Sequence, residues 1–118
     1  MRPHQKLDLW RRAIEFVVPI YRSTERFPKE EKFGLTSQVR RAAVSIAANI
    51  AEGAARTSTK EFLQFLSVSQ GAASEADTEL VIACELGYLT HTEYEHFGRE
   101  LDDIGRMITR LSQSLRRR

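Results

Sequence analysis

Glu93 and His96 stand three residues apart in a stretch of helical periodicity. A Glu-x-x-His pair is half of what a helix bundle needs to hold two iron ions. A second such pair and two further Glu from other helices complete the set. The chain has no second pair, so His96 reads as a surface residue of a helix's first turns. His91 and Glu95 are one turn apart, and two ligands do not make a metal site. Cys84 is the single cysteine and sits between Ala83 and Glu85. It excludes an internal disulfide framework and a multi-cysteine zinc site, and reads as a small buried thiol. No Gly-rich phosphate loop occurs. A helical ribonuclease of the type that sets an Arg and a His four to six residues apart on one helix is also unsupported: residues 62–98 contain His91 and His96 but no Arg. The expectation is no catalytic residue, no metal and no cofactor.

Two other groups of residues carry possible chemistry. Gln38, Arg41, Ser45, Asn49 and Glu52 fall on one side of a helix at steps of 3, 4, 4 and 3. Gln70, Ser74 and Glu75 (or Asp77) are placed to face them from the next helix. Buried polar groups must be hydrogen-bonded, because an unmet one costs about 1–3 kcal/mol. The stripe is therefore expected to form a structural network that fixes helix register. The alternative is an unrecognised active site around Asn49, Glu52 and Glu75. The second group is basic: Arg11, Arg12, Arg22, Arg40, Lys60, Arg106, Arg110, Arg116, Arg117 and Arg118. Arg41 belongs with them unless the polar stripe takes it inward. Few aromatic residues are free for base stacking, so any contact is expected to be led by phosphates and tolerant of sequence.

The elements that must position these residues are helices. Alternating runs are short and no Asn-Gly or Asp-Gly hairpin turn occurs. Apolar residues instead recur every three or four positions. Helices are expected at about 6–25, 36–54, 58–86 and 91–115, with a basic tail at 116–118. Leu7, Trp10, Ile14, Val17 and Tyr21 form one stripe of the first, and Leu9, Ala13, Phe16 and Ile20 a second beside it, so this helix is expected to be buried on a broad face. Pro19 lies inside that helix and predicts a kink. Pro28 and Gly34 punctuate 27–35 as a loop, with Phe27 and Phe33 expected to anchor it. Thr36 or Ser37 is expected to cap the second helix. Val39, Ala43, Ile46 and Ile50 form the apolar stripe of the second helix, which is also rich in alanine and so permits close helix approach. Ser58 with Glu61 and Thr90 with Glu93 have the spacing of capping boxes. Gly87 is placed as a C-cap. Tyr94, Phe97, Leu101, Ile104, Ile108, Leu111 and Leu115 make a heptad seam. Gly98 and Gly105, seven apart, are expected at a close crossing. Short connections make neighbours antiparallel. The fold class is all-α: an antiparallel up-down-up-down four-helix bundle in one domain.

A length of 118 residues is enough for one real core. The formal charge of +2 hides a segregation. Residues 62–98 carry six acids and no Lys or Arg, while the last three residues are all Arg. No apolar run is long enough to span a bilayer, and the opening residues lack a signal-peptide stretch. A cytoplasmic protein without membrane contact is expected.

The run RRAAVSIAANIAEGAARTSTKEFLQFL at 40–66 resembles the core motif of the four-helix-bundle proteins encoded by intervening sequences in large-subunit ribosomal RNA genes. GAASEADTELVIACELGYL at 71–89 looks like that family's second motif, and DLWRRAIEFVVPIYRSTERFP at 8–28 is similar to its first helix. The segment SIAANIAEG at 45–53 is the most specific part. Ala72 departs from the pattern, where the family often has Ser. The resemblance implies a four-helix bundle without catalytic residues to carry over. It also implies a homo-oligomer, since related proteins form ring-shaped homopentamers. One relative is the accessory protein of diversity-generating retroelements, which binds nucleic acid and a reverse transcriptase through a basic outer surface. The expected function is thus a non-catalytic, homo-oligomeric bundle that binds RNA or DNA as an accessory or scaffold. A protein-interaction module without nucleic-acid affinity is the alternative.

Overall fold

A computed structural model describes all 118 residues. It contains four long helices and no strand: α1 (Asp8–Thr24), α2 (Leu35–Ala54), α3 (Thr59–Glu85) and α4 (His91–Arg116). Short 3₁₀ turns at Pro3–Lys6 and Lys29–Glu31 precede α1 and α2. The molecule measures 46 × 22 × 22 Å.

Cross-helix contacts fix the direction of each neighbour. Ser69 Oγ of α3 donates to the Ile46 carbonyl of α2. Nearer the other end of the same pair, Gly53 lies against Phe62 and Phe65. Residue numbers fall on α2 as they rise on α3, so the two run antiparallel. Gln70 reaches Gly105 and Thr109, while Tyr94 reaches Asp77. Arg12 pairs with Asp103, and Arg26 with Glu93. α4 is therefore antiparallel to both α3 and α1. α1 packs on α2 and α4, α3 packs on α2 and α4, and the diagonal pairs do not pack. This is a square, up-down-up-down bundle.

The core is one contiguous apolar cluster. From α1 it takes Leu9, Ala13, Phe16 and Ile20. The parallel stripe of Trp10, Ile14, Val17 and Tyr21 sits at the rim instead, with Ile14 and Tyr21 exposed. Val39, Ala43, Ile46 and Ile50 of α2 are completely buried. The heptad seam of α4 buries Phe97, Leu101, Ile104, Ile108 and Leu115. α1 continues through Pro19, whose ring leaves the Glu15 carbonyl without its helical donor.

The caps divide into expected and unexpected ones. Thr90 and Glu93 form the full reciprocal box. Ser58 accepts from Glu61 N but its partner's carboxylate returns to the Ser58 hydroxyl, so half of that box is present. Gly87 adopts φ +82° after α3, and Tyr88 N–H reaches back to Ala83 O at 2.8 Å while Gly87 N–H reaches Cys84 O. That pairing closes the helix and needs a residue without a Cβ penalty.

Two expectations fail in the α1–α2 connection. Neither Thr36 nor Ser37 caps α2. The helix starts one residue earlier, at Leu35, and Glu31 Oε1 from the 3₁₀ turn accepts the Leu35 N–H at 3.1 Å. Phe33 does not anchor the loop either: it is 89% exposed, while Phe27 is buried against the Tyr88 ring. The 3₁₀ turn rotates Phe33 away from the core and brings Glu31 toward it.

Candidate nucleic-acid interface

Asp103 takes two of the expected phosphate ligands. Arg12 donates to one oxygen at 2.9 Å, and Arg106 donates to the other. The Arg106 bond, and then the Arg12 bond, hold the Asp103 carboxyl below the usual range. Arg40 is committed still further. Its Nε donates to Thr24 Oγ1 at 2.8 Å, its terminal nitrogen to the Tyr21 carbonyl, and its guanidinium covers the Tyr21 ring. Thr24 is itself buried and donates to Ile20 O. Arg40 is a clamp between α1 and α2, not an outward cation. Arg22 is exposed, but it lies at the end of the bundle that holds Glu25, Glu30 and Glu31. Arg11 is exposed in the first turn of α1, its guanidinium over the Trp10 ring.

The remaining basic candidates gather. Antiparallel order brings the C-terminus of α4, the α2–α3 connection and the N-terminal 3₁₀ turn to one end. Lys60, Arg116, Arg117 and Arg118 are all exposed there, with Arg2 and Lys6, and Arg110 lies two turns in. Of the acids at this end, Glu52 and Glu61 are both engaged by Arg56, which also covers the Phe65 ring. Sequence reading did not single out Arg2, Lys6 or Arg56. Their role depends on which chain ends share a face, and a helix period does not contain that.

The polar stripe of α2 does not form the expected buried network. Gln38, Arg41 and Glu52 are exposed, and Ser45 and Asn49 are half-buried. Asn49 Nδ2 donates to the Ser45 carbonyl and hydroxyl of its own helix, both at 2.9 Å. Glu52 pairs with Arg56. The reason is steric. α2 and α3 meet through Ala, Gly and Ile so closely that long polar side chains are pushed to the rim. The buried polar bond of that seam is Ser69 to Ile46 O, both ends enclosed. Its signal was a serine on the alanine-rich face of α3. Gln70 and Ser74 turn toward α4 instead. Glu75 lines a cleft of about 370 Å³ with Gln38, Arg41, Ala42, Ser45 and Glu79. Asn49 and Glu52 do not reach it, so the three residues of the alternative active site do not converge. In this cleft Glu79 Oε1 is buried without a hydrogen-bond partner, and burial, then the Glu75 charge, pushes its carboxyl up.

The half-motif for metal is occupied by structural bonds. Glu93 accepts from Thr90 N–H and from Arg26. His96 pairs with Glu100 at 2.6 Å on the same helix. His91 Nδ1 lies 3.6 Å from the Cys84 sulfur. No three His, Cys, Asp or Glu side chains lie close enough together to hold a metal ion.

A groove of about 870 Å³ runs between α3 and α4. Ala73, Gly98, Leu101 and Gly105 lie along it, with Asp77 and Tyr94 toward one end, Asp102 midway, and Arg106 and Arg110 toward the other end. The two glycines differ: Gly98 faces open space, whereas a Cβ on Gly105 would come within 3.3 Å of Gln70 Oε1 of α3, so the close approach is present at Gly105 alone. A Cβ on Gly98 would meet nothing nearer than the Tyr94 ring at 3.9 Å.

Taken together, these features define a helical bundle with a charged end, an open polar groove and no assembled catalytic constellation. The chain belongs to the 23S rRNA-intervening sequence protein family, whose profile matches residues 5–110. A crystal structure from Bacteroides thetaiotaomicron, described as a protein with unknown function from the S23 ribosomal protein family, has the same fold: TM-score 0.82, 23% identity, covering 88% of this chain and 97% of that one. No curated protein matches the sequence. The family and this neighbour are of unknown function, and neither indicates a catalytic family. No helix is long and apolar enough to cross a membrane.

Proposed function

We propose that this protein is a non-catalytic, self-associating bundle that binds single-stranded RNA or DNA through phosphate contacts at its basic end. The observation that carries this reading is the gathering of uncommitted cations there. Lys60, Arg110 and Arg116 to Arg118 are exposed and make no ion pair, whereas Arg12 and Arg40 are tied to neighbouring helices and Arg106, exposed, gives one bond to Asp103 of its own helix. Repetition of such an end in an assembly raises affinity through effective concentration without new contacts. Support for self-association comes from the α1–α2 seam. There Trp10, Ile14, Val17, Val44, Ala47 and Ala48 line a wholly apolar hollow, and Val18 beside it is 47% exposed. The same seam favours the second reading, a protein-interaction module.

Fluorescence anisotropy with mixed-sequence single-stranded RNA over a salt series tests the proposal. The logarithm of affinity is expected to fall linearly with the logarithm of salt, by about 0.7 per neutralised phosphate. Deletion of Arg116 to Arg118 should reduce that slope by about 2. Absence of binding at about 50 mM salt overturns the nucleic-acid reading and leaves the interaction module. Light scattering that returns the 13.5 kDa monomer mass overturns self-association.

A further inference from the structure

We propose that the α3–α4 groove receives one nucleotide of the bound strand and prefers guanine there, with Asp102 reading the base and Arg106 and Arg110 holding its phosphate. This rests on the nucleic-acid reading above and adds a base preference to it.

The argument starts from spacing. Asp102, Arg106 and Arg110 lie at i, i+4 and i+8 of α4, and all three line the groove. At 1.5 Å per residue the two cations stand about 6 and 12 Å along the axis from the carboxylate. The groove thus has an acceptor half, which reaches from Asp77 to the central Asp102, and a cationic end; Asp102 and the cations are separated by a span of the same order as that from a nucleotide's phosphate to the far edge of its base. A strand that lies on the basic end of the bundle reaches the cationic end of the groove first, because Arg110 precedes Arg116 on the same helix by less than two turns.

The acceptor half is selective by chemistry. Asp77 already accepts the Tyr94 hydroxyl at 2.8 Å. Asp102 is exposed and bonds nothing within the chain. An ionised carboxylate accepts only, and offers two oxygens side by side. Guanine presents two adjacent donors on its Watson–Crick edge. Uracil presents one donor between two carbonyls, which a carboxylate repels. Single-stranded bases are read on that edge once they are splayed from the stack. The Tyr94 phenol stays protonated, since its bond to Asp77, then burial, pushes it up to about 12. It adds no negative charge beside the incoming strand.

Shape agrees with the charges. Ala73 and Gly98 put nothing larger than a methyl group on their stretch of the groove, and a Cβ on Gly98 would meet nothing nearer than 3.9 Å, which leaves room for a flat ring. Ser74, Thr78 and Thr109 line it with hydroxyls within reach of a sugar. Arg106 gives a bond to Asp103 but keeps other guanidinium donors free. Arg110 has no partner.

The test compares a short labelled oligouridine with the same strand carrying two central guanines, by anisotropy on the full-length protein. The guanine strand is expected to bind about tenfold tighter. Asp102→Ala should remove that difference and leave oligouridine affinity unchanged or slightly raised. Arg110→Ala should weaken both strands alike. Asp102 is exposed and unbonded, so unchanged circular dichroism and melting are expected for its variant. Equal binding of the two strands by the wild type overturns the guanine preference while the nucleic-acid reading stands. A preference that survives Asp102→Ala overturns the assignment of the reader. If neither strand binds at about 50 mM salt, both readings fall together.

Discussion

The Tyr88 hydroxyl donates to Glu31 Oε2 at 3.1 Å, across 57 residues of sequence. The bond ties the α1–α2 connection to the α3–α4 connection at the end of the bundle away from the termini. The other oxygen, Oε1, accepts the Leu35 N–H at the start of α2. One carboxylate therefore caps a helix and joins two loops. Burial and the hydrogen bond to Glu31 both push the Tyr88 phenol up.

Glu31→Ala removes both bonds. A lost cap costs about 1 kcal/mol, and a half-buried phenol without its acceptor adds about 0.5–1 kcal/mol. A loss of about 1.5–2 kcal/mol is expected, read from urea denaturation midpoints. Tyr88→Phe should cost only the second part. If the two variants are equally destabilised, the capping role of Glu31 is wrong.

Two glycines should respond to alanine with opposite signs. A Cβ on Gly53 would come within 2.8 Å of Phe65 Cβ and 3.0 Å of the Phe62 ring. Helix propensity favours Ala over Gly by about 1 kcal/mol, but overpacking a close helix pair costs about 1–3 kcal/mol. Gly53→Ala is expected to lower the melting temperature. Gly71 is exposed on α3, with nothing within 4 Å of an added Cβ. There propensity acts alone, and Gly71→Ala should stabilise by about 0.5–1 kcal/mol.

Acid should weaken the fold through Glu93 and Asp103. The Thr90 backbone N–H, then Arg26, hold the Glu93 carboxyl below its ordinary value. Asp103 is held down by Arg106, then Arg12. Below the ordinary carboxylate range the unfolded chain binds more protons than the folded one at both groups. Their contribution is complete above that range and is lost as pH falls through the folded values. Denaturation midpoints should be flat near neutrality and fall below about pH 4. Removing one group and the other's ion-pair partner, with Asp103→Asn and Arg26→Ala together, should make the decline shallower.

Glu79 should behave in the opposite sense. Its folded pKa lies above the unfolded one because of burial, then Glu75. The folded state binds more protons in that window, so stability is lost as pH rises through it. Glu79→Gln removes the charge and is expected to stabilise the protein at pH 7, seen as a higher urea denaturation midpoint. The gain should vanish near pH 4, where the wild-type group is already protonated.

Much of the fold was legible in the residues. The 3-4 spacing on α2 and α4 marks the positions that are buried, and Thr90 with Glu93 forms the cap its spacing implies. Val39, Ala43, Ile46 and Ile50 needed no tertiary information to be recognised as one face. α1 was legible only in part. It carries two adjacent apolar stripes, and nothing local says which is covered. Leu9, Ala13, Phe16 and Ile20 are inside because α2 and α4 flank that side, and Ile14 and Tyr21 are left exposed.

The sequence by itself determined the helical class, the face each helix offers to a core, and the lack of a second metal half-motif, a phosphate loop or a second cysteine. Those follow from residue identity and from a backbone period of 3.6, which are local properties. Only the tertiary structure decided which cations are free, that Glu31 caps α2, that the polar stripe lies at a rim, and that Gly98 faces an open groove while Gly105 meets Gln70. A helix period fixes the angle at which a side chain leaves its own axis. It does not say which neighbour lies at that angle or how near it comes. Arg12 and Arg110 are indistinguishable as residues. One meets Asp103 across 91 positions of sequence and the other meets solvent.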